Sequence, residues 1–252
     1  MALSLIGLGS DPGQSIAEDL NCLTAPVTAE AMEASWYAAL QKQAITSLRQ
    51  RGEEVERLAD NSQFSAYQQA RRDFMFGKLG GPPPSTPVNG QVVGRLPRPG
   101  YAIEKIIFES QPHHHVTGNL YLPDGPGPFP AVLVSSGHSR TAKAADYNQR
   151  FGIIFAQHGL AAFCIDPIGQ GERSQVLLPD GQPQYSGTTV EHLLMGTGSI
   201  LVGRNTATYR VWDAMRAIDY LLTRTDIDAR RIGMTGCSGG GTLTSYVMAL
   251  DN

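Results

Sequence analysis

An apolar run, Arg231-Ile232-Gly233-Met234-Thr235, leads directly into Gly236-Cys237-Ser238-Gly239-Gly240, and residues 242–250 follow with a helix-like pattern. A strand, a tight turn and a helix in immediate succession leave the backbone little choice. Ser238 must adopt strained angles, and the residues around it must lack a Cβ if strand and helix are to pass closely. The five residues fit G-x-S-x-G, and strand–turn–helix is the context that makes that weak pattern informative. A serine so placed stands exposed at a helix N-terminus, where the dipole and unpaired N–H groups favour developing negative charge. Ser238 is therefore the candidate nucleophile.

Upstream, short apolar runs alternate with amphipathic stripes. Residues 101–109 and 115–122 read as neighbouring strands. Ala131-Val132-Leu133-Val134 and residues 160–165 are almost wholly apolar, as expected of strands covered on both faces. Tyr147, Phe151, Ile154 and Phe155 stripe one helix; Val211, Met215, Ile218 and Leu222 stripe another that ends near Thr223. The alternation predicts an α/β domain with a mostly parallel sheet and crossover helices. Residues 170–204 are Gly-rich and read as irregular.

Residues 1–95 differ in character. Met32, Trp36, Leu40, Ala44 and Leu48 recur every fourth position, with Thr28 as N-cap and Gly52 as the point where the helix is interrupted or ends. A second helix is expected over about residues 62–76, with Phe64, Tyr67, Phe74 and Phe76 seeking burial. Gly80-Gly81-Pro82-Pro83-Pro84 then breaks regular structure. The predicted organisation is a helical N-terminal extension, 1–95, with a Gly/Pro-rich linker, followed by the α/β domain, 96–252.

A net charge of −3 supplies no electrostatic attraction to nucleic acid or an anionic membrane. No run reaches the length of a transmembrane helix. Residues 2–8 are apolar, but without a preceding basic residue or a cleavage site they read as a start with no export signal, and the compartment stays open. Three cysteines make no disulfide framework, and Cys164 and Cys237 read as buried free thiols. Adjacent side chains on a strand alternate faces, so His113-His114-His115 cannot converge on a metal. The reading calls for no cofactor and no metal.

Ligands of open α/β sheets bind beyond the carboxyl ends of the strands. Three loops are expected there: the one carrying Ser238, Ser135-Ser136-Gly137-His138-Ser139-Arg140, and Asp166-Pro167-Ile168-Gly169-Gln170-Gly171-Glu172-Arg173. Acyl transfer needs N–H donors aimed at the oxyanion of a tetrahedral intermediate. The N–H of Gly239 is one candidate, and those of His138 and Ser139 are the others. His138 reads as part of this loop rather than as a base. Asp213 and Asp219 read as surface or capping charges.

Four segments together resemble one family. They are Val116-Thr117-Gly118-Asn119-Leu120-Tyr121-Leu122-Pro123, the Asp166 to Arg173 loop, Trp212-Asp213-Ala214-Met215-Arg216-Ala217-Ile218-Asp219-Tyr220-Leu221, and residues 231–250. Over residues 96–252 the chain resembles bacterial acetylxylan-esterase-like α/β-hydrolases, relatives of prolyl-oligopeptidase-type catalytic domains. The resemblance implies a serine carboxylesterase, commonly deacetylating plant polysaccharides, with a small-molecule or polysaccharide ester as substrate. It implies a secreted or periplasmic setting as readily as a cytoplasmic one.

The family's triad runs Ser, then Asp or Glu, then His. Here the last histidine is His192, and Asp251, the only acid after Ser238, lies roughly 20 Å along a continued helix. The expectation is thus the N-terminal part of an α/β-hydrolase fold without the triad acid and base. Residues 231–235 would then form a sheet edge, expected to aggregate, swap or pair with a missing segment. Two further readings stay open: a prolyl-oligopeptidase-type peptidase, and a non-catalytic half-site needing a partner.

Overall fold

The computed structural model describes residues 28–33, 35–185 and 188–251. The chain divides into two compact units, Met1–Ala66 and Tyr67–Asn252.

The first unit is helical. Helix α1 (Ala29–Glu33) opens with Thr28, whose hydroxyl accepts the Ala31 N–H at 3.2 Å. Ser35 caps helix α2 (Trp36–Glu56). Gly52 neither interrupts nor ends α2, contrary to expectation. One glycine costs about 1 kcal/mol in a helix and is outweighed by its helix-forming neighbours. Helix α3 (Asn61–Lys78) starts in this unit, and its residues from Tyr67 onward are counted in the second; it begins with a reciprocal cap, in which the Gln63 N–H donates to Asp60 and Gln63 Oε1 accepts the Ala59 N–H, both at 2.9 Å. Phe64 and Phe74 stay exposed rather than buried.

The second unit is built on a six-stranded sheet in the order β1-β2-β3-β5-β4-β6. The strands are β1 (Gln91–Arg98), β2 (Tyr101–Gln111), β3 (His114–Pro123), β4 (Phe129–Ser135), β5 (Ala161–Ile165) and β6 (Ile227–Gly236). The pairs β1–β2, β2–β3 and β3–β5 are antiparallel, whereas β4 pairs parallel with both β5 and β6. The mixed order follows from the connections. Two-residue links such as Pro99-Gly100, with Gly100 at φ 83°, permit only a hairpin, whereas β4 and β5 are joined across helix α4 (Asp146–Gln157). Among the described residues, β6 pairs on one side only.

Side-chain alternation splits the core between the two faces. On one face Phe108, Leu120, Leu133 and Phe163 pack against helices α6 (Thr206–Leu222) and α7 (Gly239–Leu250). On the other, Tyr121, Val134 and Cys164 meet α4. There a Cβ on Gly152 would strike the Tyr121 ring at 2.5 Å, so glycine sets how closely α4 lies on the sheet.

Helix α5 (Thr188–Leu201) occupies part of the segment expected to be irregular. Its pattern is inverted: Glu191 and Ser199 are buried, while Leu193, Ile200 and Leu201 are exposed. Among the described residues, no helix is long and apolar enough to cross a membrane, and no cluster of metal-binding side chains occurs.

Candidate active site

β6 brings its turn to the carboxyl end of β4. Ser238 sits at φ 55°, ψ −124°, a strained conformation worth about 1–3 kcal/mol. Three glycines hold it there. A Cβ on Gly236 would lie 2.5 Å from the Gly240 carbonyl, one on Gly240 would lie 2.1 Å from Ser135 O, and one on Gly137 would lie 2.7 Å from Cys237 O. All three obstacles are backbone, so the end of β4 and the turn interlock only without side chains. Gly240 N–H donates to Cys237 O at 2.8 Å and Thr242 N–H to Ser238 O at 3.1 Å, which starts α7. Ser238 is exposed, and its hydroxyl does not cap the helix. Cys237 is exposed as well, not buried, because the turn lifts it off the sheet beside Ser238. Cys164 is the buried thiol, pushed up to about 12 by burial and then by the charge of Asp166.

The loop after β4 is fixed from behind by Gln170. Its Nε2 donates to Gly137 O at 2.9 Å and to Ser139 O at 3.0 Å. In a trans peptide the C=O and N–H point opposite ways, so this grip turns the His138 N–H away from Gln170. Asn148 braces the same loop through Ser136 Oγ at 2.9 Å and Ala142 O at 2.8 Å. The amides of His138, Ser139 and Gly239 have no hydrogen-bond partner among the described residues.

Asp166 is buried and accepts from Thr117 Oγ1 (2.7 Å), the Lys143 N–H (3.0 Å) and the Lys143 ammonium, pinning the third loop. Asp213 is not a surface charge. It is buried against Arg173 at 2.8 Å and accepts from Ser110 Oγ at 2.5 Å, while His114 Nε2, 3.4 Å away, faces the Arg173 guanidinium at 2.9 Å. Burial opposes its ionisation, but Arg173, His114 and Ser110 outweigh that and hold its carboxyl below the ordinary value. His115 instead faces Glu109 at 3.4 Å, so the histidine run disperses as strand alternation requires.

Two imidazoles line the cavity beside the turn. His192 Nε2 lies 2.8 Å from Ile168 O, and His138 Nε2 lies 3.3 Å from His192 Nδ1. A carbonyl oxygen only accepts, so His192 carries its proton on Nε2 and accepts at Nδ1. His138 then donates through Nε2 and keeps a lone pair on Nδ1. A Cβ on Gly239 would stand 3.3 Å from that Nδ1. Burial, then the charge of Arg210, holds His138 below its ordinary value. Burial does the same to His192, opposed by its bond to Ile168 and assisted by Arg210. Both rings are neutral near pH 7.

The structure thus brings the turn of Ser238 and Gly239 together with the His138 and Ser139 loop at the carboxyl ends of parallel strands. Residues 99–252 match the family model described as acetyl xylan esterase (AXE1). The chain belongs to the acetyl xylan esterase (AXE1) family. Its relatives include the "Putative hydrolase YtaP" of Bacillus subtilis (strain 168), 25% identical over 193 residues, covering 72% of this chain and 60% of that protein. The fold is that of the "putative acetyl xylan esterase" BF1801 of Bacteroides fragilis NCTC 9343 (TM-score 0.62, 21% identity, 75% of this chain and 51% of that one). It is also that of the methylesterase BT1017 (TM-score 0.61, 24% identity, 79% of this chain and 42% of that one). These esterases share the α/β-hydrolase fold. This family member therefore spans about half the length of the proteins it resembles.

Three residues at the site escaped sequence reasoning. They are Gln170, His192 and Arg210. Each takes its place from contacts distant in sequence, and no local pattern marks them.

Proposed function

We propose that the chain carries the nucleophile and oxyanion donors of a serine carboxylic-ester hydrolase that deacetylates carbohydrate esters. The observation that supports this most directly is the backbone of Ser238, strained at φ 55°, with three amides close by in the fold that have no hydrogen-bond partner among the described residues. Ser238 Oγ attacks the ester carbonyl and passes its proton to a general base. The tetrahedral oxyanion is received by the N–H groups of Gly239 and His138, with Ser139 adjoining. Each such donor is worth about 3 kcal/mol in the transition state. The N-terminus of α7 adds its positive dipole end. The alcohol leaves, and water resolves the acyl-enzyme. In this proposal the triad acid and base come from outside the 252 residues.

Labelling with a fluorophosphonate ester tests the nucleophile. Adduct on Ser238, absent in Ser238→Ala, supports its assignment. If acid and base lie outside the chain, labelling is slow until a longer form or a partner supplies them; rapid labelling of the isolated chain refutes that part. A longer form should cleave acetyl esters in preference to peptide amides; the reverse order turns the reading to a peptidase.

A further inference from the structure

Arg210 projects from the first turns of α6 into the cavity shared with His138, His192, Gly239 and Thr242, a space of about 330 Å³. Its Nε and Nη2 are shut off from solvent and bond to nothing among the described residues. A guanidinium offers five N–H donors and keeps its charge, so an interior guanidinium normally has an anion beside it. The neighbouring carboxylates are already engaged. Asp213, one turn on, is held by Arg173 and Ser110. Glu191 on α5 accepts from Ser174 Oγ and from the Gln175 N–H. No acidic side chain lines the cavity among the described residues.

The remaining end of the guanidinium points at the chemistry. Nη1 lies 3.7 Å from where a Cβ on Gly239 would stand, one residue beyond the candidate nucleophile. The other polar groups around the cavity are uncharged: two neutral imidazoles, two threonines and a tyrosine. The nearby charge of Asp213 favours the cationic form of Arg210 but leaves Nε and Nη2 without a hydrogen bond, whereas a ligand carboxylate would supply a charge-assisted one.

We infer that Arg210 is a specificity residue that receives a carboxylate carried by the substrate, so that the site takes esters of acidic, uronate-bearing carbohydrates. This rests on the esterase reading of Ser238 and narrows it to a substrate class.

The test titrates the chain with glucuronate and, separately, with glucose, following the Cε1–H signals of His138 and His192 by NMR. Saturable shifts with glucuronate and none with glucose at equal concentration are expected. Arg210→Gln should weaken glucuronate binding on the order of ten- to a hundredfold, with part of the loss restored in Arg210→Lys. Equal response to both sugars, no response to glucuronate, or undiminished binding by a folded Arg210→Gln overturns the inference. The wild-type comparison decides the matter even if a variant fails to fold. Fluorophosphonate labelling of the same sample is read separately. Labelling without uronate discrimination removes the role of Arg210 and leaves the esterase reading. Uronate discrimination without labelling of a longer form keeps Arg210 as a carboxylate site and removes the esterase reading.

Discussion

Gly240→Ala isolates the contact that joins the Ser238 turn to the end of β4. A carbon and a carbonyl oxygen approach to about 3.3 Å, whereas the added Cβ would stand 2.1 Å from Ser135 O, 2.8 Å from Ser135 C and 3.0 Å from Ser136 C. The two segments would have to separate by about 1 Å, and no side chain can swing away because every obstacle is main chain. Overpacking of this kind costs about 1–3 kcal/mol and occasionally more. Alanine returns up to about 1 kcal/mol of helix propensity at this first turn of α7. The expected net loss is about 2 kcal/mol, near 4–8 °C in melting midpoint for a domain of this size. Gly233→Ala is the control, since its Cβ would meet nothing within 4 Å. Thermal melts and fluorophosphonate labelling rates of the three proteins make the comparison. The same displacement separates Ser238 from the His138 loop, so labelling should slow in Gly240→Ala and not in Gly233→Ala. A Gly240→Ala chain as stable as the original would refute the interlock.

Other consequences are open to the same methods. Gln170→Leu removes the grip on Gly137 O and Ser139 O; leaving those carbonyls unpaired should cost about 1–3 kcal/mol and slow labelling of Ser238, and an unchanged melt and rate would count against the bracing role. Arg173→Met strands the buried Asp213 carboxylate and should cost about 3–5 kcal/mol, measured by urea unfolding; a loss under about 1 kcal/mol would refute the pair's burial. For His138 and His192, both held below their ordinary 6.5, the unfolded chain takes up protons first as pH falls. Their contribution to stability should therefore be level above about pH 6.5 and decline below it toward the lower folded values. Arg210→Gln should raise both imidazole pKa values in an NMR titration, and unmoved values would remove Arg210 as a cause.

What the sequence disclosed was what local chemistry controls. The turn at Ser238 was readable because five consecutive residues specify it, and β2 through β5 were readable because their apolar runs are bounded by Gly and Pro. β1 was not, since Gly94 and Pro97 interrupt it and its side chains stay exposed, which erases the alternation a half-buried strand shows. α5 hid for the opposite reason. Its apolar residues face outward and Glu191 faces in, so a search for an apolar stripe finds the wrong side of the helix. The places of Gln170 and Arg210 are tertiary: Gln170 bonds a loop 33 residues away in sequence, and Arg210 is set against His138 and His192 by the packing of α6.

With Ser238 as the proposed nucleophile, its backbone sets two selective pressures against each other. Glycine would accept φ 55° without the penalty a Cβ brings, so a lineage relieved of chemical work would gain stability by losing the hydroxyl at this position. Catalytic disuse in this family should therefore leave a directional trace. Decay at position 238 would run toward glycine and a higher melting point, while the glycines packed around it, which hold the interlock together, would stay behind in a fold that no longer reacts.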